Sequence, residues 1–370
     1  MGFSPFDQHM MDIALTLARR GLGTTAPNPS VGAVIADEST GELIARGVTQ
    51  PGGRPHAETE ALRRAGARAR DATLYVTLEP CAHHGKTPPC ADAVVAGGIR
   101  RVVIGVGDPD PRTKGHGIQR LRDAGIAVET GLRGEEARWA TLGHILRITE
   151  RRPFVQLKMA LSAAGAVPRG ADGKALFVTG PEARAQGHYL RAACDAILVG
   201  GQTVRDDDPD LTCRLPGLAE RSPVRVVLSR SLGLSAGAKL VRTARSVPLW
   251  IVMGEDADPA RAGELEAAGA RIFRLPVSGH GIAPRDVLGL LSDEGITRLL
   301  VEGGAAIWKA FSQEKLADEV VLFQAGSGEA EVRAVELAAR LAPGLDLDLA
   351  RRRRVGADTM SVLRVRTPGS

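Results

Sequence analysis

The stretch Thr77-Leu-Glu-Pro-Cys-Ala-His-His-Gly-Lys-Thr-Pro-Pro-Cys90, read together with His56-Ala-Glu58 upstream, decides how the first half of this chain folds. Just before it, Ala72-Thr-Leu-Tyr-Val-Thr-Leu78 is a short apolar, β-branched run, which predicts a buried strand whose end delivers Cys81. Pro88 and Pro89 suit the first turn of a helix, which puts Cys90 at its start. The span Ala57 to Ala67 reads as a second helix, with His56 and Glu58 at its beginning. Helix N-termini favour thiolates through the backbone dipole. His56, Cys81 and Cys90 therefore form a candidate metal site drawn from three element ends. Two thiolates and a neutral imidazole balance the charge of Zn²⁺, and three protein ligands leave a fourth position open, which is the catalytic rather than the structural pattern. Glu58, two residues past the histidine, is placed to move protons.

His-Ala-Glu alone carries little information, and two cysteines alone are as well explained by core thiols or a disulfide. The combination is specific because each piece sits in a matching local setting. An H-x-E followed by Pro-Cys and a second cysteine is the pattern of zinc deaminases, with the glutamate as acid/base and not as ligand. Here the second cysteine is displaced, with eight residues between it and the first. His83 and His84, in the intervening loop, read as exposed loop histidines.

At 370 residues the chain is long for one core, and two domains are expected. Aromatics are only 3%, so stacking platforms for single-stranded nucleic acid are scarce. The net charge of +5 suits phosphorylated small molecules as well as nucleic acid. The run Arg351-Arg-Arg-Arg354 reads as a solvated face. Four cysteines do not make a disulfide framework, and Cys194 and Cys213 are expected to be structural. Residues 1–20 lack a basic leader and instead show an amphipathic helix with Phe6, Met10, Ile13 and Leu17 on one face and Gly21 as its stop. No segment reads as a membrane span, and a cytoplasmic location is the default.

In chain order, strands are predicted at 31–36, 42–48, 72–78, 100–107 and 126–130, with helices at 57–67, 117–124 and 135–147. The polar Thr149-Glu-Arg-Arg-Pro153 marks a boundary, so domains of 1–147 and 152–370 are expected. A second α/β pattern follows, with strands at 154–161, 196–199, 224–229, 249–253, 271–275, 298–301 and 319–323. Alternating strands and helices imply layered α/β domains with ligands at strand ends. The second half contains neither a Rossmann fingerprint nor a P-loop. It offers Gly200-Gly201 ahead of Thr203, and Glu302-Gly-Gly-Ala305 opening a helix whose free N–H groups suit a phosphate.

These residues, with Asp108-Pro-Asp-Pro111, Arg152-Pro-Phe-Val-Gln-Leu-Lys-Met-Ala-Leu161, Thr179-Gly-Pro-Glu-Ala-Arg184, Asp195-Ala-Ile-Leu-Val-Gly200 and Val301-Glu-Gly-Gly304, resemble the bifunctional deaminase/reductase family of riboflavin biosynthesis over nearly the whole chain. The resemblance implies a cytidine-deaminase-like three-layer N-terminal domain and a dihydrofolate-reductase-like C-terminal domain. It implies hydrolytic deamination of 2,5-diamino-6-ribosylamino-4(3H)-pyrimidinone 5′-phosphate at zinc, with Glu58 moving protons. Reduction of the ribosyl group to ribityl by NADPH follows. By the same resemblance Asn28, Asp108 and Asp110 hold the pyrimidine or ribose, and Lys86 and Thr87 meet the phosphate. Thr203, Asp207, Gly303 and Gly304 match cofactor positions, and Arg191, Leu211, Arg214 and Glu302 match substrate positions, with Lys158 a polar neighbour of the transfer. A homodimer or homotetramer is implied, with no nucleic-acid or membrane partner.

The chain departs from the family pattern mainly in the second half. Ser162-Ala-Ala-Gly-Ala166 stands where Ser-x-Asp-Gly-Lys is usual, Ala175 and Phe177 replace a serine and a tryptophan, and Gln324-Ala-Gly-Ser-Gly-Glu-Ala330 replaces a Pro and Leu-Gly segment. In the first half Thr49 and Asp110 stand for a usual histidine and asparagine. Two other readings are therefore kept. One is an active deaminase with a catalytically impaired reductase-like domain. The other is a nucleic-acid-binding module with structural zinc, which needs His83 or His84 as a fourth ligand.

Overall fold

The first helix, α1 (Pro5–Gly21), starts where Ser4 and Asp7 cap each other: Ser4 Oγ accepts the Asp7 N–H at 3.1 Å and the Asp7 carboxylate accepts the Ser4 N–H at 2.9 Å. Its buried stripe is Met10, Met11, Ala14, Leu15 and Ala18, while Phe6, Ile13 and Leu17 lie on the flank, partly buried. This rotates the helix away from the expected face. The cause is Gly32 in β1 (Gly32–Asp37), where a Cβ would stand 1.9 Å from the Ala14 carbonyl oxygen. The helix backbone rests on the strand through small residues, which turns the longer side chains outward.

The computed structural model describes residues 2–167, 170, 178–231, 233–279, 281–326 and 331–366, with only the backbone of 331–333. Ala175, Phe177 and positions 327–330 lie outside the described residues. The chain divides into two units at Arg152 and Pro153.

After β1 the first unit continues with β2 (Glu42–Val48), α2 (Ala57–Ala65), β3 (Thr73–Leu78), α3 (Cys90–Ala96), β4 (Arg101–Val106), α4 (His116–Asp123), β5 (Ala127–Thr130) and α5 (Gly134–Glu150). The sheet order is β2-β1-β3-β4-β5, with β1 antiparallel to both neighbours and β3, β4 and β5 parallel. Along β1, Ala33 and Ile35 enter one core with Ala57, Ala61, Val94 and Leu121; Val34 and Ala36 enter the other with Met11, Leu15 and Ala137. The sheet is thus the middle of three layers, and burial on both faces explains why β1 and β3 read as continuous apolar runs. Helix α5 runs three residues past its expected end at 147.

The second unit holds β6 (Phe154–Leu161), α6 (Pro181–Ala192), β7 (Ala196–Gly200), α7 (Gly201–Asp207), β8 (Val224–Leu228), α8 (Lys239–Arg242), β9 (Leu249–Gly254), α9 (Pro259–Ala267) and β10 (Arg271–Leu275). Then follow α10 (Pro284–Asp293), β11 (Arg298–Val301), α11 (Ala305–Gln313), β12 (Glu319–Gln324), α12 (Glu331–Leu341), β13 (Leu347–Val355) and β14 (Asp358–Val365). Its sheet order is β10-β9-β8-β7-β11-β6-β12-β14-β13, parallel from β10 to β12 and antiparallel beyond. From β7 the chain moves to β8 on one side, and from β11 it moves to β12 on the other. The connections diverge between β7 and β11, which creates a crevice at their carboxyl ends.

The terminal hairpin was not expected. Arg351 to Arg354 belong to β13, an edge strand, where closely spaced like charges mask the apolar alternation a strand usually shows. Such charges discourage pairing with another sheet edge. Arg353 turns back to donate to Gln186 and to Met360 Sδ. Among the described residues no helix is long and apolar enough to cross a membrane.

Candidate functional site

The end of β3 and the starts of α2 and α3 converge. His56 precedes the first residue of α2, Cys90 opens α3, and Cys81 lies three residues beyond β3. His56 Nδ1 is 3.3 Å from Cys90 Sγ and 3.7 Å from Cys81 Sγ, and the three ligand atoms all lie within 4.8 Å of one another. Tetrahedral Zn–N and Zn–S bonds place ligand atoms about 3.5 Å apart, so the donor set fits zinc. The other ring nitrogen, Nε2, is 3.3 Å from Asn28 Nδ2, whose amide donates to the Gly53 carbonyl at 2.8 Å. Asn28 therefore lies against the imidazole, beside the centre.

Cys90, through its side chain and its N–H at 3.2 Å, and the His56 imidazole hold the Cys81 thiol at about 4, while Cys90 is pushed up by the same contact and by burial. Zinc bound by both sulfurs would displace their protons, leaving two thiolates. Burial pushes the Glu58 carboxyl up to about 7, with His56 pulling the other way. A carboxyl 4% exposed and poised near neutrality can both take and return a proton. Among the described residues, the cluster contains no fourth His, Cys, Asp or Glu. His83 faces Thr113 Oγ1 at 3.2 Å, and His84 is exposed.

Glu79, quoted within the metal stretch but given no role from sequence, organises the segment opposite. Its Oε2 accepts N–H groups from Asp108 at 3.3 Å and Gly115 at 3.2 Å; its Oε1 accepts from Gly117 at 3.1 Å and Ile118 at 3.2 Å. The carboxylate thus caps α4 and ties residues 108–118 to the metal loop. Glu79→Ala is expected to leave these donors unpaired, lowering stability by about 2–4 kcal/mol in urea unfolding. An unchanged midpoint would show that the donors find other partners.

The remaining candidates of the first unit are unequally engaged. Asp108 is buried against His144. The Asp110 carboxyl is held at about 2 by the Arg112 guanidinium, which reaches its oxygens at 2.5–3.2 Å. Thr87 accepts from Arg54 Nη1 at 2.6 Å, so a second cation stands beside the exposed Lys86. Arg54 and His144 carried no signal in the sequence, since their partners are 33 and 36 residues away and only the first unit's folding brings them together; Arg112 pairs locally with Asp110 but was given no role.

In the second unit the crevice gathers most of the expected residues. Arg191 on α6 forks onto Glu302 at 2.9 and 2.8 Å and donates to the Thr212 carbonyl at 3.0 Å. Lys158 Nζ stands 3.8 Å from Glu302. Burial pushes the Glu302 carboxyl up, but Arg191 and Lys158 outweigh it and hold it at about 2. His188 joins this group: its Nδ1 lies 3.1 Å from the Thr212 carbonyl and 3.3 Å from the Arg214 N–H, and bonds one or the other according to its tautomer. Leu211 buries its side chain in the core with φ +57°, while Arg214 is exposed beside Asp210 at 3.4 Å. Thr203 and Asp207 lie one turn apart on α7, directly after β7. A Cβ on Gly303 would meet Ile307 at 2.6 Å, whereas among the described residues one on Gly304 meets nothing within 4 Å and no side chain caps α11. Open backbone at an uncapped helix start suits the phosphate of a dinucleotide.

A buried glutamate beside one histidine and two cysteines, on a mixed sheet between two helical layers, is the build of a zinc-dependent deaminase of the cytidine type, here joined to a second α/β domain. Residues 4–106 match the cytidine and deoxycytidylate deaminase zinc-binding region, and residues 153–359 match the RibD C-terminal domain. The chain is 39% identical over 317 residues to the riboflavin biosynthesis protein RibD of Aquifex aeolicus, covering 86% of each. It aligns with the structure of Acinetobacter baumannii RibD at TM-score 0.82 and 33% identity, over 98% of this chain and 99% of that one. A Thermotoga maritima structure, described as a diaminohydroxyphosphoribosylaminopyrimidine deaminase/5-amino-6-(5-phosphoribosylamino)uracil reductase, aligns at TM-score 0.80 and 32% identity, over 97% and 99%. The chain belongs to the RibD family.

Proposed function

We propose that this chain carries out two consecutive steps of riboflavin biosynthesis. The first is hydrolytic deamination of the diaminopyrimidinone ribosyl phosphate, and the second is NADPH-dependent reduction of the ribosyl side chain of the resulting 5-amino-6-(5-phosphoribosylamino)uracil. The observation that carries the reading is the convergence of His56, Cys81 and Cys90 beside buried Glu58, in a chain whose remainder matches the family's C-terminal domain. Deamination is assigned to residues 1–147 and reduction to 152–370.

Zinc held by the three ligands supplies Lewis acidity that makes water a nucleophile near neutral pH. Glu58 would take one proton from the attacking water and pass it to the ring nitrogen, then carry the second, from the hydroxyl now on carbon, to the departing amino group, leaving a carbonyl and ammonia. Asn28, Asp108 and Asp110 orient the ring and ribose, and Lys86 and Thr87 meet the phosphate, a role that Arg54 extends. In the second unit Thr203, Asp207, Gly303 and Gly304 hold NADPH, the hydride donor. Arg191, Leu211, Arg214 and Glu302 hold the substrate, with Lys158 beside the reacting carbon. The protein is further proposed to be cytoplasmic and a homodimer or homotetramer, which light scattering reads directly.

The test is a coupled assay on zinc-loaded protein, recording ammonia and NADPH absorbance from the diaminopyrimidinone phosphate. Ammonia and NADP⁺ appearing together support both steps. Ammonia alone means the altered segment around Ser162–Ala166 has lost the reduction, and neither signal refutes the assignment. Removing zinc with a chelator is expected to stop ammonia release while NADPH oxidation persists when the deaminated uracil is supplied. Loss of both activities would mean that the metal also sustains the reduction.

A further inference from the structure

Asp108 is held from three directions. Its N–H donates to Glu79 at 3.3 Å, and its Oδ1 both accepts the Asp110 N–H at 2.9 Å and faces His144 Nε2 at 3.0 Å. A carboxylate only accepts, so Nε2 of His144 carries the proton. His144 lies within α5, 8% exposed, between the buried Thr141, Leu142, Ile145 and Leu146. Among the described residues its Nδ1 is buried with no hydrogen-bond partner. An apolar ring at this place would avoid that unpaired nitrogen, and among the described residues the side-chain hydrogen bond of His144 is to Asp108.

We infer that His144 is a positioning residue for deamination, fixing one oxygen of Asp108 so that the other, Oδ2, is presented to an N–H or hydroxyl of the substrate. The inference rests on the reading of Asp108 as a substrate contact. An aspartate has two side-chain torsions, and anchoring Oδ1 to both the Asp110 N–H and the His144 ring determines where Oδ2 points. Oδ2 takes no hydrogen bond from the described residues and is the remaining acceptor. Positioning of this kind raises affinity by removing the need to order the group on binding.

The experiment measures ammonia release by the full-length zinc-loaded enzyme, without NADPH, across diaminopyrimidinone phosphate concentrations. His144→Phe is expected to raise KM about tenfold, the scale of one lost positioning hydrogen bond, with little change in kcat. His144→Gln, whose amide can donate to Asp108, is expected to recover most of the affinity. In an Asp108→Ala background, His144→Phe is expected to add nothing. Should the phenylalanine variant fail to fold, His144→Asn, too short to reach the carboxylate, replaces it. A second readout is the ¹⁵N spectrum of the His144 ring, expected to show protonated Nε2 and bare Nδ1, with the Nε2 resonance moving in Asp108→Ala. The inference is overturned if Asp108→Ala raises KM and His144→Phe does not, or if His144→Phe has the same effect in both backgrounds. It also falls if the Nε2 resonance ignores Asp108. If Asp108→Ala leaves KM unchanged, the substrate-contact reading fails too, and the unaltered ring spectrum of the parent protein separates that outcome from a missing His144–Asp108 bond.

Discussion

Glu58→Gln protein is expected to release ammonia about 10²–10⁴-fold more slowly than the parent, the usual loss when a positioned acid/base is removed. Gln is nearly isosteric and uncharged, and the metal is held by His56, Cys81 and Cys90, so zinc content measured on the purified protein should stay at the parental level. NADPH oxidation started from the diaminopyrimidinone phosphate should stop with it, because the second step is starved. It should return in full when the deaminated uracil is supplied. A Glu58→Gln enzyme that still deaminates within a few fold of the parent would remove Glu58 from the proton path. A protein that has lost zinc would instead place Glu58 among the supports of the metal site.

Arg101→Leu is expected to cost about 3–5 kcal/mol of stability, the range for breaking a buried ion pair from one side. Arg101 opens β4 with its side chain 13% exposed, and reaches Asp7, Glu38 and Glu129, each at 2.7 Å. Leucine in its place leaves Asp7 charged and buried, with only the Tyr75 hydroxyl at 2.7 Å and local bonds to Ser4 for support. Burial pushes the Asp7 carboxyl up, but hydrogen bonds from Arg101, Tyr75 and Ser4 bring it to about 2. That lies below the value of about 3.9 for an unfolded aspartate. The stabilisation is therefore present above about pH 4 and is lost as pH falls through about 2. Without Arg101 the folded value rises, and acid unfolding of the first unit should begin at higher pH. Urea and pH titrations followed by circular dichroism measure both effects. The network sits where β3 and β4 begin, and the metal ligands follow where β3 ends. Below its melting temperature the variant should therefore deaminate like the parent. Parental stability would mean that water supports Asp7 once the guanidinium is gone.

Much of the metal centre was legible in the residues because its chemistry is local. His56 and Glu58 are two residues apart, Cys81 follows a proline just past a strand, and Cys90 follows two prolines that suit a helix start, Pro89 preceding the first residue of α3. Strands buried on both faces, such as β3 and β6, were equally plain, since their apolar runs need no partner to be recognised. The failures have a common cause. The face of α1 was misjudged because Gly32, a residue of another element, determines which side of the helix can approach. The strand at Arg351–Arg354 was missed because its pairing with β14 supplies what its side chains do not advertise.

By itself, then, the sequence determined the alternation of strands and helices in each half and singled out the His56, Cys81 and Cys90 that the fold brings together. These follow from residue type and short spacing. Only the tertiary structure decided what orients those groups. It shows Glu79 gathering four N–H groups from residues 108–118, Arg191 neutralising Glu302 across 111 positions and His144 facing Asp108. It also buries Arg225 completely among the carbonyls of Leu240, Thr243 and Val247. A buried polar group must find its partner in space, and in a layered sheet that partner comes from whichever strand or helix lies alongside, at a distance along the chain that no local pattern records.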